Sequence, residues 1–316
     1  MRVAVLVVVS LLAVVAAPFI GPSVDDAVWS FVLWELRVPR VLMAAAVGAC
    51  LGTVGAAFQA IFGNPLATPS TTGTTAGAMV GALAALVFMA TPNPSIVAIA
   101  ALIGALAIAL PVAALASRGN RRIEDVLLAG VAMTLGASAL TTGLQVQADL
   151  ATTFRAVRWS MGSLTQVGYS GVGIVAVVCA VSIAGVLWHL RALEALIAGE
   201  ALAFSQGVDV TRVRTRVLVF GALGVAVCVA WCGPIAFVGL VVPHLVRLGV
   251  GTSRRLVLTL SAVCGAGFLV LCDTVARTVW AGRELPVGVL TAAIGAPLLV
   301  ALVLRRPGRA STRVSK

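Results

Sequence analysis

Apolar runs of about twenty residues dominate this chain, separated by short polar or Gly/Pro-rich joints. They fall at about 3–20, 41–62, 70–90, 95–116, 126–148, 168–190, 213–233, 235–248, 256–276 and 286–304. A helix needs about 20 apolar residues to cross a bilayer. The pattern therefore predicts an all-α, polytopic membrane protein of about ten transmembrane helices, forming a single domain over residues 1–316. The run at 235–248 is short and broken by Gly and Pro, and counts as a crossing because the chain turns at both its ends. The first run could be a leader cleaved after Ala16-Ala17-Pro18, but its length favours a retained first span.

Composition sharpens the picture. The chain is 60% hydrophobic and 10% charged, with a mean hydropathy of +1.10. A soluble domain carries about 25% charged residues, so soluble, disordered and disulfide-scaffold classes are excluded. The net charge is +11. With the N-terminus inside, the inner loops and the tail at 305–316 hold all of that excess, and the outer loops balance. That asymmetry predicts both termini cytoplasmic. The basic residues lie between spans and make no basic face with aromatic partners, so nucleic acid is not an expected partner.

Several chemistries have no residues to carry them. A P-loop needs a Lys to reach the phosphates, and the only Lys is Lys316. If ATP drives this protein, another chain binds it. The two histidines, His189 and His244, lie far apart in sequence, and neither HExxH nor GxSxG occurs. The six cysteines lie in apolar runs without a CxxC and read as small fillers, so no metal site is expected.

Four stretches stand out. Arg37-Val38-Pro39-Arg40 enters a span with Gly48, Gly52 and Gly55, spaced for close helix approach. That span ends near Gly63-Asn64-Pro65-Leu66, where Pro65 removes a backbone donor. Trp159-Ser160-Met161-Gly162-Ser163-Leu164 follows Arg155 and Arg158, and reads equally as an interfacial anchor. The inner loop at about 193–211 carries Gly199, Glu200, Ala201 and Gly207 yet keeps Leu193, Leu196, Ile197, Leu202 and Phe204. That apolar stripe suits a docking surface or a loop lying on the membrane. The fourth stretch, Gly233-Pro234 through Pro243-His244 to Arg247, is followed by Asp273 to Arg277, Glu284-Leu285-Pro286 and Gly295-Ala296-Pro297. Separately, Thr134, Ser138, Thr141, Gln145 and Asp149 recur at spacings of 3 or 4, one helical face. A polar face in a membrane lines a cavity or meets a neighbour, unless its hydroxyls bond back to their own helix.

Taken in order, these motifs resemble the FecCD-type permeases of bacterial ABC importers, from Arg37 to about Leu304. That family imports iron–siderophore complexes, haem and cobalamin. The resemblance implies the type II ABC importer architecture in the bacterial inner membrane. It implies a second permease protomer, identical or related, two P-loop ATPase subunits that bind ATP and Mg, and an extracytoplasmic binding protein. This chain itself would bind no cofactor and would not be an enzyme. The resemblance assigns Arg37, Arg40 and Arg277 to binding-protein docking, although Arg277 could instead pair with Asp273. It assigns Asn64, Leu66, Arg122 and Ile123 to cytoplasmic gates, and the 193–211 loop to ATPase coupling. The polar face from Thr134 to Asp149 would line the pathway. Two departures appear: Arg122 and Ile123 replace small polar residues of the cobalamin member, and Thr72 stands where many members have Leu. A ferric siderophore is the expected cargo, as the commonest use in the family; haem is disfavoured because neither His lies on the polar face, and cobalamin stays open. An ion-coupled transporter is the rival, with Asp273 its nearest intramembrane acid.

Overall fold

The computed structural model describes residues 2–23, 25–89, 93–117, 123–164, 168–251, 254–280 and 284–304. Every regular element among them is helical. In chain order they are α1 (Arg2–Ala16), α2 (Asp26–Phe31), α3 (Val38–Ile61), α4 (Thr74–Phe88), α5 (Pro94–Ala116), α6 (Ile123–Gln147) and α7 (Leu150–Ser160). There follow α8 (Tyr169–Trp188), α9 (Leu190–Ala198), α10 (Glu200–Ser205), α11 (Val210–Cys232), α12 (Val238–Val250), α13 (Arg254–Thr278) and α14 (Val287–Leu304).

Six helical segments are long and apolar enough to cross a bilayer unaided; α1, α4, α12 and α14 are shorter apolar helices. Together these match the ten predicted runs. The first long crossing starts earlier than the hydrophobic pattern indicates. α2 runs into α3 through a wide π-type turn at Val32–Arg37. Pro39 explains that turn: it lacks an amide hydrogen and its ring crowds the carbonyl four residues back, so the helix widens there.

α3 is the central element. Its glycines meet backbone directly. A Cβ placed on Gly48 would lie 2.2 Å from the carbonyl oxygen of Gly265 on α13, and one on Gly55 would lie 2.0 Å from that of Gly239 on α12. No side chain separates these helices, which is the small-residue packing that membranes favour.

The residues between α11 and α12 are non-helical, with Gly233 at φ 68° and Phe237 at φ 66°. This break carries the chain into the bundle before α12 starts, which is why the eighth apolar run is short. Such non-helical backbone persists at depth only against protein. Here Pro234 lies against Gly162 and Gly288, and Phe237 against Gly295.

Candidate functional site

One end of the bundle gathers the predicted coupling and gate residues. α9 stops at Gly199, whose φ 131° and ψ 145° lie in a region open essentially to Gly alone. α10 then leaves at a new angle and closes at Gly207, φ 76°. The apolar stripe of this loop splits between two faces. Leu193, Leu196 and Ala203 are buried, whereas Ile197, Leu202 and Phe204 are exposed, Phe204 by 80%. Ala201 is exposed beside them.

Glu200 pairs with Arg214 of α11, and Arg214 Nε donates to the Ile61 carbonyl at 3.2 Å. The last turn of α3 is thereby joined to α10. Nearby, Arg247 of α12 donates to Gln59 Oε1 at 2.5 Å, and Gln59 Nε2 donates to the Gly239 carbonyl at 3.3 Å. A cavity of about 440 Å3 opens between these parts, lined by Gln59, Gly63, Pro65, Ile197 and Arg247 among others. Just past α3, Asn64 Oδ1 accepts the Leu66 amide at 2.9 Å, folding a tight turn that leaves Leu66 47% exposed. The turn predicted to be the first gate and the elbow predicted to couple therefore share one end of the bundle. Arg122 lies outside the described residues, as does the side chain of Ile123, the first residue of α6.

At the opposite end the three predicted docking arginines converge, but on internal partners. Arg40 forms an ion pair with Asp273 at 2.9 Å and another with Glu284 at 2.8 Å. Arg277 sits 3.5 Å from Asp273 and donates to the Ala17 carbonyl at 2.5 Å. Arg37 donates to the carbonyls of Pro18 and Pro22 and stacks over Trp29. Arg37 and Arg277 are buried, and Asp273 is 1% exposed. Of the three arginines assigned to docking, Arg37 and Arg277 lie beneath the surface and Arg40 lies nearest the rim. The i, i+4 pair of Asp273 and Arg277 is present, and only the Arg40–Glu284 contact reaches the rim. A buried carboxylate needs paired charge, and Asp273 finds it in Arg40 and Arg277, whereas Arg37 is held by the carbonyls and Trp29.

The polar face of α6 holds in part. Thr134, Ser138, Thr141 and Gln145 are half-buried or exposed on this poorly covered helix. Thr134 and Thr141 donate to the carbonyls of Gly130 and Ala137, the back-bonding alternative. Asp149 is corrected: α6 ends at Gln147, and Asp149 instead caps α7, accepting the Thr152 amide at 2.8 Å. Hydrogen bonds from the Thr152 hydroxyl and amide hold its carboxyl below the usual range. The departure at Thr72 has a local explanation, since its buried hydroxyl lies 2.8 Å from that of Thr74.

Sequence spacing did not bring Cys50, Cys179 and Cys228 together. Their sulfurs lie within 4.8 Å of one another, buried between α3, α8 and α11, with no His or carboxylate in the group. Neither histidine faces the α6 stripe. His189 and His244 each set Nδ1 against a carbonyl one turn back, at 2.9 and 2.7 Å.

Comparison with known proteins fits this geometry. A profile of the FecCD transport family matches residues 3–305. The vitamin B12 import system permease protein BtuC of Vibrio cholerae is 39% identical, over 86% of this chain and 82% of its own. The hemin transport system permease protein HmuU of Yersinia pestis is 36% identical, over 90% and 86%. The Fe(3+) dicitrate transport system permease protein FecD of Escherichia coli is also 36% identical, over 87% and 86%. A solved metal-chelate type ABC transporter in an inward-facing conformation superposes with a TM-score of 0.86 at 30% identity, covering 96% of this chain and 98% of that one.

Proposed function

The chain belongs to the FecCD transport family and is a multi-pass permease subunit of an ABC importer, and we propose that its cargo is a ferric siderophore moved by alternating access. ATP hydrolysis occurs on separate ATPase subunits. Two such subunits, each with ATP and Mg, would dock on α9 and α10, with a second permease protomer completing the pathway.

The observation that carries the coupling reading is the elbow at Gly199. It presents Leu202 and Phe204 outward while Glu200 and Arg214 tie it to α3. A shift of α10 driven by ATP-dependent closure would pull on Ile61 and reset the turn holding Asn64 and Leu66. The sparsely covered face of α6 supports pathway lining by Thr134, Ser138, Thr141 and Gln145. An external binding protein would dock on the rim around Arg40, with Arg37 and Arg277 backing it from beneath. The elbow would face the cytoplasm with both termini, as the charge asymmetry favours.

Cobalamin is the second reading, supported by the 39% identity to BtuC. The experiment is purification of the complex in gentle detergent, mass spectrometry of all co-eluting chains, then uptake by proteoliposomes. A stoichiometric P-loop ATPase and uptake of a ferric siderophore are expected. Uptake of cobalamin alone would replace the cargo assignment. Absence of any ATPase, with nucleotide present, would overturn the coupling reading.

A further inference from the structure

A second cavity, of about 400 Å3, opens at the end of the bundle opposite α9 and α10. It lies between α5, α7, α8 and α11 and takes no part in the coupling or pathway reading. Arg155 and Arg158 of α7 line it, together with Trp159, Trp231, Ser95 and Ser170. No carboxylate lines it among the described residues, and the connections at 90–92 and 165–167 have none in their sequence. Arg155 spends one Nη2 contact on Thr152 Oγ1 at 2.9 Å. Both guanidiniums are exposed, and Asp149 reaches Arg155 electrostatically from outside the cavity. The lining itself supplies no opposing charge, so an anion entering it would meet two cations.

The floor and the approach narrow the choice of anion. Leu86, Val97 and Ile174 form an apolar base. From Ile174 the exposed residues Val177 and Val181 continue down α8 at spacings of 3 and 4, a lane along the bilayer depth. The two indoles sit at the cavity, where Trp marks the interface. A free inorganic anion uses neither the apolar floor nor the lane, whereas a lipid uses both. Paired guanidiniums hold phosphate oxygens through charge-assisted, often bidentate hydrogen bonds.

We propose that this cavity binds the headgroup of an anionic phospholipid, its phosphate on Arg155 and Arg158 and one acyl chain along Ile174, Val177 and Val181. The site is independent of which substrate the importer carries. Its occupancy would fix α7 against α5 and α8.

The test is native mass spectrometry of the intact complex in nanodiscs of phosphatidylcholine doped with phosphatidylglycerol. Retained phosphatidylglycerol is expected. It should fall by roughly tenfold in R155Q/R158Q and persist in R155K/R158K. The charge-matched control R191Q/R212Q, at the other end, should leave it unchanged. If the Gln pair fails to fold, Ile174→Trp, which fills the floor, should evict the lipid instead. Equal retention of the two lipids, or retention unchanged in both the Gln pair and I174W, would overturn the proposal. Displacement by millimolar inorganic phosphate, without any preference between lipids, would reassign the cavity to a free anion and overturn it too.

Discussion

Glu200 and the carbonyl of Ile61 are held by one guanidinium, that of Arg214, so the coupling elbow and the last turn of the central helix share a single tie. Arg214→Ala should leave the complex assembled but weaken transmission. A coupling energy of about 1–3 kcal/mol corresponds to roughly a 5–150-fold effect, so substrate-stimulated hydrolysis should fall at least fivefold, with basal hydrolysis kept. Unchanged stimulation in reconstituted complex would remove the tie from the mechanism.

Asp273 is ion-paired to both Arg40 and Arg277. Asp273→Asn strips Arg277 of its paired carboxylate and Arg40 of one of its two. Removing one partner of a buried pair typically destabilises by about 3–5 kcal/mol. Thermal unfolding in detergent should show a marked drop, larger than for Glu284→Gln at the exposed rim. Equal losses would mean that the buried acid is not the keystone.

Glu284 occupies the outward edge of Arg40, where a carboxylate of a docking protein would bind. Glu284→Gln should therefore tighten docking by the external binding protein severalfold, mainly through a faster on-rate. Surface plasmon resonance on immobilised complex would read this. Weaker docking would place the contact elsewhere.

Gly48 and Gly265 touch backbone to backbone. Gly48→Ala must push α3 and α13 apart, and overpacking of this kind destabilises by about 1–3 kcal/mol. Gly136→Ala on α6, where nothing lies within 4 Å, should be nearly silent. Paired unfolding curves test the contrast.

The ten crossings were legible because their apolar runs are long, and the motifs marked in chain order the turn after α3 and the break at Gly199. The start of the first long crossing was not legible. Asp25, Asp26, Glu35 and Arg37 break the apolar run ahead of position 41, yet Trp29, Phe31, Leu33 and Trp34 continue as helix through the turn ahead of Pro39. The fate of the arginines was hidden for a different reason. Arg40 meets Asp273 across 233 positions of sequence, and local spacing carries no signal for that. Asp149 kept the helical spacing of the stripe but lay two residues past its end, where its short acceptor side chain suits a cap. The pairs Arg214–Ile61 and Arg247–Gln59 join distant segments in the same way, and nothing in their flanking residues marks them.

The contact of α3 with α13 and α12 through bare glycine backbone has a mechanical consequence. There is little side-chain padding between them to compress, so the three helices behave as a lever rather than a spring. α3 alone spans roughly 36 Å at 1.5 Å per residue. One tip carries the Arg40–Asp273 knot and the other the Gln59–Arg247 and Ile61–Arg214 ties. In the proposed cycle a tilt imposed at one tip would carry to the other, so loading on one side of the membrane and the power stroke on the other would be two readings of one displacement.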